Sequence, residues 1–427
     1  MQILRRGSTG PQVELLQLGL SRGGYLPVSG IDGIFGTATQ NAVIRFQRDN
    51  GLSADGIVGQ ATWRALSPLL TGYVTHTVRR GDTLYRLAGT YGSSIRAIDT
   101  ANPSLDPLNL TVGSQIIIPL GFDVVPTNIS FTSTVLDYVI RGLTARYPFL
   151  RTGRMGGSVL GKPLYWLAIG TGGREIFYNA AHHANEWITS PLLMKYLENY
   201  SRAYAFDGSI AGQSAENLYN TATLYIAPMV NPDGVDLVTG EIAPGSTQYS
   251  RALALAANYP NISFPSGWKA NINGVDLNLQ YPAGWEEARE IKFSQGFTTP
   301  GPRDYVGAAP LNQPESRAVY NFTLEHDFRL TLSYHTQGNV IFWKYLDYEP
   351  ANSYAIGRRF AELSGYSLEL TPPGSAYAGY KDWFIQQYNR PGYTMEVGRG
   401  VSPLPISQFD SIYRANEGVL TEGMILQ

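Results

Sequence analysis

Glu175-Ile176-Phe177-Tyr178-Asn179-Ala180-Ala181-His182-His183-Ala184-Asn185-Glu186-Trp187 is the stretch around which this 427-residue chain organises itself. Glu175 to Ala180 is rich in apolar and aromatic residues and reads as a buried strand. Two of the chain's five histidines follow at once. Ser190-Pro191 then opens a helix, because Pro is well tolerated in a first helical turn. Strand, polar loop and helix in that order form the repeating unit of an α/β fold, which holds ligands in loops at the carboxyl ends of its strands. From Phe122 onward, further strands alternate with helices. This predicts a catalytic α/β domain at 124–427 with a mixed central sheet flanked by helices.

The loop carries the chemistry. His183 and Glu186 lie three residues apart, and a tightly bent backbone turns both toward one ion. That pair alone is weak evidence, so a third ligand must come from elsewhere. His335 follows the strand-like Leu330 to Tyr334 and precedes Thr336-Gln337-Gly338, which places it at another strand end. The chain has no Cys, so disulfides, thiolate zinc sites and cysteine nucleophiles are excluded, and any metal must be held by His and carboxylate. Two His and one Glu, with a position left open for water, make a catalytic zinc set; a structural zinc would want four protein ligands. One Zn2+ per chain is expected.

Ahead of this domain, residues 1–67 contain a repeat. Asp32-Gly33-Ile34-Phe35-Gly36-Thr37 returns as Asp55-Gly56-Ile57-Val58-Gly59-Gln60, each followed by Ala-Thr. Each copy puts a glycine-bearing turn before a helix, which predicts a small helical bundle at 1–70. After a break at Leu69-Leu70-Thr71-Gly72, Thr75 to Val78 alternates as a strand. Gly81-Asp82-Thr83 caps a helix carrying Leu84, Leu87, Ala88 and Tyr91, and a second short helix carries Ile95 and Ile98. Gln115 to Pro119 closes the unit as a buried strand, giving β-α-α-β over 73–120. Arg6-Gly7-Ser8, Val13 to Leu18 and the two Asp-Gly copies together resemble the peptidoglycan-binding domain 1 family. Val78 to Ala88 resembles a LysM module, whose family binds N-acetylglucosamine-containing glycans.

Over the remaining residues the chain resembles the zinc metallocarboxypeptidase family, on motifs that occur in the family's order. Ala181 to Trp187 matches the first ligand motif and implies His183 and Glu186 as zinc ligands, and Ser333 to Gly338 supplies His335 as the third. Asn231-Pro232-Asp233-Gly234-Val235 matches a turn motif taken as structural. Gly274-Val275-Asp276-Leu277-Asn278 implies that Asp276 orients His183 and that Asn278 binds substrate. Tyr393 to Gly398 places the catalytic glutamate at Glu396, and Trp268-Lys269 puts Lys269 where the family has an electrophilic Arg. The family's mobile tyrosine over the substrate falls on Tyr377 or Tyr380. One departure stands out: the Arg that grips a free C-terminal carboxylate in carboxypeptidases is Leu279 here. With the wall-binding modules, that departure resembles the bacterial γ-D-glutamyl-diaminopimelate endopeptidases. The resemblance therefore implies cleavage of the γ-D-glutamyl amide to diaminopimelate or lysine in peptidoglycan stems, with Asn271, Asn273 and Asn278 available to bond the substrate.

Two other functions compete: a carboxypeptidase trimming peptides from their C-termini, and a noncatalytic wall-binding or spore-structural protein. The intact set His183, Glu186, His335 and Glu396 weighs against the latter. Thirty-two Lys and Arg against 34 Asp and Glu give a net charge of −2, which offers no general attraction to nucleic acid or anionic membrane. The expected partners are therefore peptidoglycan glycan strands and stem peptides, with no nucleic acid and no membrane insertion. Polar Ser8 to Gln12 follow the early arginines where a secretory signal needs an apolar run. Both a cytoplasmic site, as in a sporulating cell, and a wall-associated one stay open.

Overall fold

The computed structural model describes residues 2–426. The chain divides into two compact units, one built from residues up to Ser130 together with Thr134–Arg151, the other from Phe131–Ser133 and everything from Thr152 onward.

The first unit opens with helices α1 (Pro11–Arg22), α2 (Thr37–Asp49) and α3 (Gln60–Thr71), which bury Val13, Leu16, Phe46, Trp63 and Leu66. The repeat has a physical cause that its glycines conceal. Buried Gln17 donates to Asp32 Oδ1, Ile34 O and Thr39 Oγ1, and buried Gln47 donates in the same way to Asp55 Oδ1, Ile57 O and Thr62 Oγ1. Each turn is thus tied to a helix by one fully satisfied amide. Helix α3 continues through Leu69-Leu70-Thr71, where the sequence pattern suggests a break. The chain turns only at Gly72, in the left-handed region at φ 76, where a Cβ would lie 2.8 Å from Arg146 Nη2.

Strand β1 (Tyr73–Thr77) pairs antiparallel with β2 (Gln115–Pro119). Between them run α4 (Leu84–Tyr91) and α5 (Ile95–Ala101), capped by the Thr83 and Ser94 side chains. The order is β-α-α-β around Val78, Leu84, Leu87, Ile98, Ile116 and Ile118. Helix α6 (Ser133–Arg146) sends its last side chain, Arg146, to the carbonyls of Gly72 and Leu120.

The second unit is built on an eight-stranded sheet. Its strands are β3 (Arg151–Gly157), β4 (Pro163–Ile169), β5 (Arg174–Ala180), β8 (Ala222–Ala227), β9 (Phe328–His335), β10 (Val340–Phe342), β11 (Ser367–Glu369) and β12 (Gly392–Glu396); a two-residue hairpin, β6 (Ser209–Ile210) and β7 (Gln213–Ser214), stands apart. The order is β11-β10-β12-β9-β5-β8-β4-β3, with β12, β9, β5 and β8 parallel and β10 and β4 joining antiparallel. The sheet is mixed, as expected.

Helices cover both faces. On one, Phe177 packs with Phe322 of α12 (Pro314–Leu324) and Tyr380 of α14 (Tyr380–Tyr388). On the other, Tyr178 donates to Leu420 O of α15 (Phe409–Glu422), and Tyr196 of α7 (Thr189–Ala205) meets Thr421. Burial on both faces explains why β5 and β8 read as continuous apolar runs rather than alternating ones. No helix among the described residues is long and apolar enough to cross a membrane.

Candidate metal centre

The parallel strands β5, β9 and β12 end at one edge of the sheet. Their register sets Glu396 beside His335, and the chain leaves β5 into the His182–Glu186 loop at the same edge. Ala181 takes a positive φ of 52, unusual for a residue with a Cβ. The amides around it are anchored: Ala181 N donates to Thr189 Oγ1 and Asn231 N to Ala181 O. A single 3-10 turn, Ala184–Glu186, then swings Glu186 under His183. Asn231 locks the loop from behind, donating to His182 O and Ala270 O while capping helix α9 (Pro232–Thr239). The Asn-Pro-Asp-Gly motif is thus structural.

The donor atoms of His183, Glu186 and His335 lie within 4.8 Å of one another. His183 Nδ1 is 3.0 Å from Glu186 Oε1, and His335 Nδ1 is 2.9 Å from Glu186 Oε2 and 3.1 Å from His183 Nδ1. His183 Nε2 is 3.0 Å from Asp276 Oδ1. That contact assigns the proton to Nε2 and turns the Nδ1 lone pair toward the cluster. Three lone-pair donors, two of them on buried residues and one on the half-buried His183, converge closely enough to fit a divalent cation, and an N,N,O set suits zinc. Asp276 is itself fixed by the amides of Asn278 and Asp304. Burial opposes its charge, but His183, Lys269 and the Asp304 amide outweigh that and hold the carboxyl below its usual range.

Around this cluster the remaining groups face a charged cavity of about 150 Å³ whose walls include His183, Lys269, Asp276, Asn278, His335 and Glu396. Lys269 Nζ sits 2.9 Å from Glu186 Oε1. Burial works against its proton, yet the Glu186 carboxylate wins and the ammonium persists. Its backbone is pinned on both sides, with Lys269 O accepting from Ala184 N and Lys269 N donating to Pro302 O. Burial first, and then the negative charge of Glu186, push the Glu396 carboxyl up to about 8. Asn278 spends its side-chain oxygen on the Tyr380 amide and still lines the cavity.

Several expected residues are placed elsewhere. Tyr380 does not cover the cavity: its ring is buried against Phe177, Tyr281 and Trp383, and its hydroxyl is 3.0 Å from Thr323 Oγ1. Tyr377 packs with Leu279, Trp285 and Ala378, edge-on to Tyr345, and opens onto a neighbouring hollow. Asn271 is buried and bonds Gln313 and Glu315, while Asn273 bonds Gln313, so neither reaches the cavity. Sequence reasoning missed Lys292, Arg303, Asp304, Lys381 and Asp382, which line it. Lys292 and Asp304 pair at 2.7 Å, and Lys381 and Asp382 at 2.6 Å. They come from loops and helix ends without periodicity; the one signal for Lys381 and Asp382 is that they adjoin the tyrosine segment.

A zinc carboxypeptidase family model matches residues 136–417, a peptidoglycan-binding domain model residues 9–66, and a LysM domain model residues 76–119. The chain is similar to gamma-D-glutamyl-L-diamino acid endopeptidase 1 of Lysinibacillus sphaericus, 46% identical over 287 residues that span 67% of this chain and 70% of that protein. It is also similar to carboxypeptidase B of Bos taurus, 25% identical over 277 residues and 60% of each chain. Among solved structures, bovine thrombin-activatable fibrinolysis inhibitor in complex with tick carboxypeptidase inhibitor shares the fold, with a TM-score of 0.51 at 17% identity over 69% of this chain and 96% of that one.

Proposed function

Because the chain belongs to the zinc carboxypeptidase family, we propose that it hydrolyses the amide between the γ-carboxyl of D-glutamate and diaminopimelate or lysine in peptidoglycan stem peptides. The observation that carries this reading is the 46% identity to the γ-D-glutamyl-L-diamino acid endopeptidase. Leu279 supports it, since an enzyme without an Arg clamp at that position does not require a free carboxylate there.

His183, Glu186 and His335 would hold zinc, which when bound supplies a Lewis acid that makes hydroxide available near neutral pH. Glu396 takes the proton released as the nucleophile attacks and passes it to the leaving amine. A carboxyl raised by burial suits that two-way traffic, because proton exchange is most effective when the pKa lies near the working pH. The Lys269 ammonium provides the positive donor for the oxyanion. Asp276 holds the His183 ring in one tautomer. Asn278 presents an amide to the substrate backbone.

The peptidoglycan-binding and LysM domains direct the chain to peptidoglycan and associate it with the cell wall. Stem peptides are the substrate, and neither nucleic acid nor membrane insertion enters this reading. With boundaries at 1–70, 73–120 and 124–427, the fragment 124–427 is expected to hydrolyse small soluble peptides but no longer to pellet with purified sacculi. Linked glycan modules raise the local concentration of substrate without altering the chemistry. Equal pelleting of fragment and full chain would exclude targeting by the modules.

The cleavage itself is tested by digesting defined muropeptide tri- and tetrapeptides and weighing the products. Release of diaminopimelate from the tripeptide and of diaminopimelyl-D-alanine from the tetrapeptide is expected. Release of D-alanine alone would instead establish a carboxypeptidase.

A further inference from the structure

A γ-linked glutamyl residue carries a free α-carboxylate on the acyl side, about four bonds from the scissile carbonyl. An enzyme that acts on this linkage gains by holding that anion near the reaction centre with a cation other than the one serving the oxyanion. The structure holds such a cation. Arg303 borders the charged cavity and also a second, larger hollow of about 600 Å³ that shares Lys269 and Glu396 with it. The second hollow adds neutral amides and hydroxyls, among them Asn185, Asn261, Ser263, Gln337 and Ser402. The smaller one leads to Lys381, 4% exposed. A short, charged leaving diamino acid fits the smaller lobe. The longer acyl portion, neutral apart from its one α-carboxylate, fits the larger one. Arg303 stands at the seam between them.

Its side chain is also available. Nε is held by Asp304 Oδ2 at 2.5 Å, and among the described residues no partner takes either Nη group. The side chain is 42% exposed, so its free edge meets ligand and solvent. Asp304 is anchored in turn by Lys292, and its amide donates to Asp276. The guanidinium is therefore oriented by the same network that sets His183.

We propose that Arg303 binds the free α-carboxylate of the γ-linked glutamyl residue and thereby favours stems in which that carboxylate is free over stems in which it is amidated. This rests on the γ-D-glutamyl reading above. A planar fork with two unused N–H groups matches a carboxylate in two-point geometry. A leaving-side α-carboxylate is a poorer match, since it becomes an amide whenever the stem continues, whereas the glutamyl carboxylate persists at every stem length.

The test uses the zinc-loaded full chain and a matched pair of tripeptides, one with the glutamyl α-carboxylate and one with its carboxamide. The wild type should cut the carboxylate form with at least tenfold higher kcat/KM. Arg303→Gln should lose at least tenfold on that substrate and nothing on the carboxamide, bringing the ratio close to one. Arg303→Lys, which keeps charge but not the fork, should fall between. In the Glu396→Gln background, where substrate survives, calorimetry should show the same loss in Kd when Arg303→Gln is added. Equal losses on both substrates would overturn the assignment, as would an unchanged ratio. A third tripeptide, amidated at its terminal carboxylate, separates the sides: if Arg303→Gln abolishes discrimination there instead, Arg303 serves the leaving group and the proposal fails. A wild type that cuts neither γ-linked peptide but trims ordinary C-termini would remove the functional reading itself, a result distinct from all of these.

Discussion

Glu396→Gln is expected to lower kcat by about 10²–10⁴-fold while zinc remains near one per chain. Glu396 is the register partner of His335 across the β12–β9 ladder, yet among the described residues the group able to hold a metal comprises His183, Glu186 and His335. The amide keeps the carboxylate's shape and lining position but neither accepts nor returns a proton at neutral pH. Loss of turnover with metal retained is therefore the signature of a proton shuttle, read by atomic absorption alongside steady-state kinetics on a soluble stem peptide. Near-native turnover would remove Glu396 from the mechanism.

The affinity for zinc is expected to rise about tenfold per pH unit, and so roughly 100-fold between pH 6 and 8. Burial works against a proton on His183, but the carboxylates of Glu186 and Asp276 outweigh it and hold its pKa up to about 9. Below that value the metal-free ring is charged, and the proton must leave before Nδ1 can donate a lone pair. Raising the pH removes that competition, so binding tightens until the ring is neutral on its own. His335 contributes no such proton near neutrality, because burial lowers its pKa. Glu186 contributes none either, since burial is overcome by Lys269 and His183 and its pKa falls well below the usual range. Calorimetry in buffers of different ionisation enthalpy should count at least one proton released per zinc at pH 7. A pH-independent affinity would mean that His183 is not a ligand through Nδ1.

The strand, loop and helix at 175–205 are legible because an apolar run, a polar cluster and a Pro-initiated helix follow one another without ambiguity. The group His183, Glu186 and His335 is legible for a different reason: with five His and no Cys, few residues can bind zinc at all. The charged wall is not, because Lys292, Arg303 and Lys381 come from separate loops and helix ends with no spacing rule to join them. Tyr380 shows how sharp the limit is. At the start of α14, successive side chains point about 100° apart, so a slip of one residue exchanges a buried ring for the cavity-lining Lys381. Asn271 fails for a simpler reason, since a polar amide in a loop reads the same whether it meets a ligand or satisfies buried Glu315.

Leu279 stands at the border between an apolar cluster and the charged cavity. It is 8% exposed, packs with Trp285, Ala288, Val306 and Ala378, and also lines the wall that holds Asp276, Asp304 and Asp382. An Arg placed there would lay its stem along the cluster and carry its guanidinium into a cavity where Asp304 and Asp382 are already paired with lysines. Position 279 is therefore a tuning point: randomising it alone should change which charge the leaving side of the substrate tolerates, and varying 285 and 306 with it should decide how far a longer stem is accommodated.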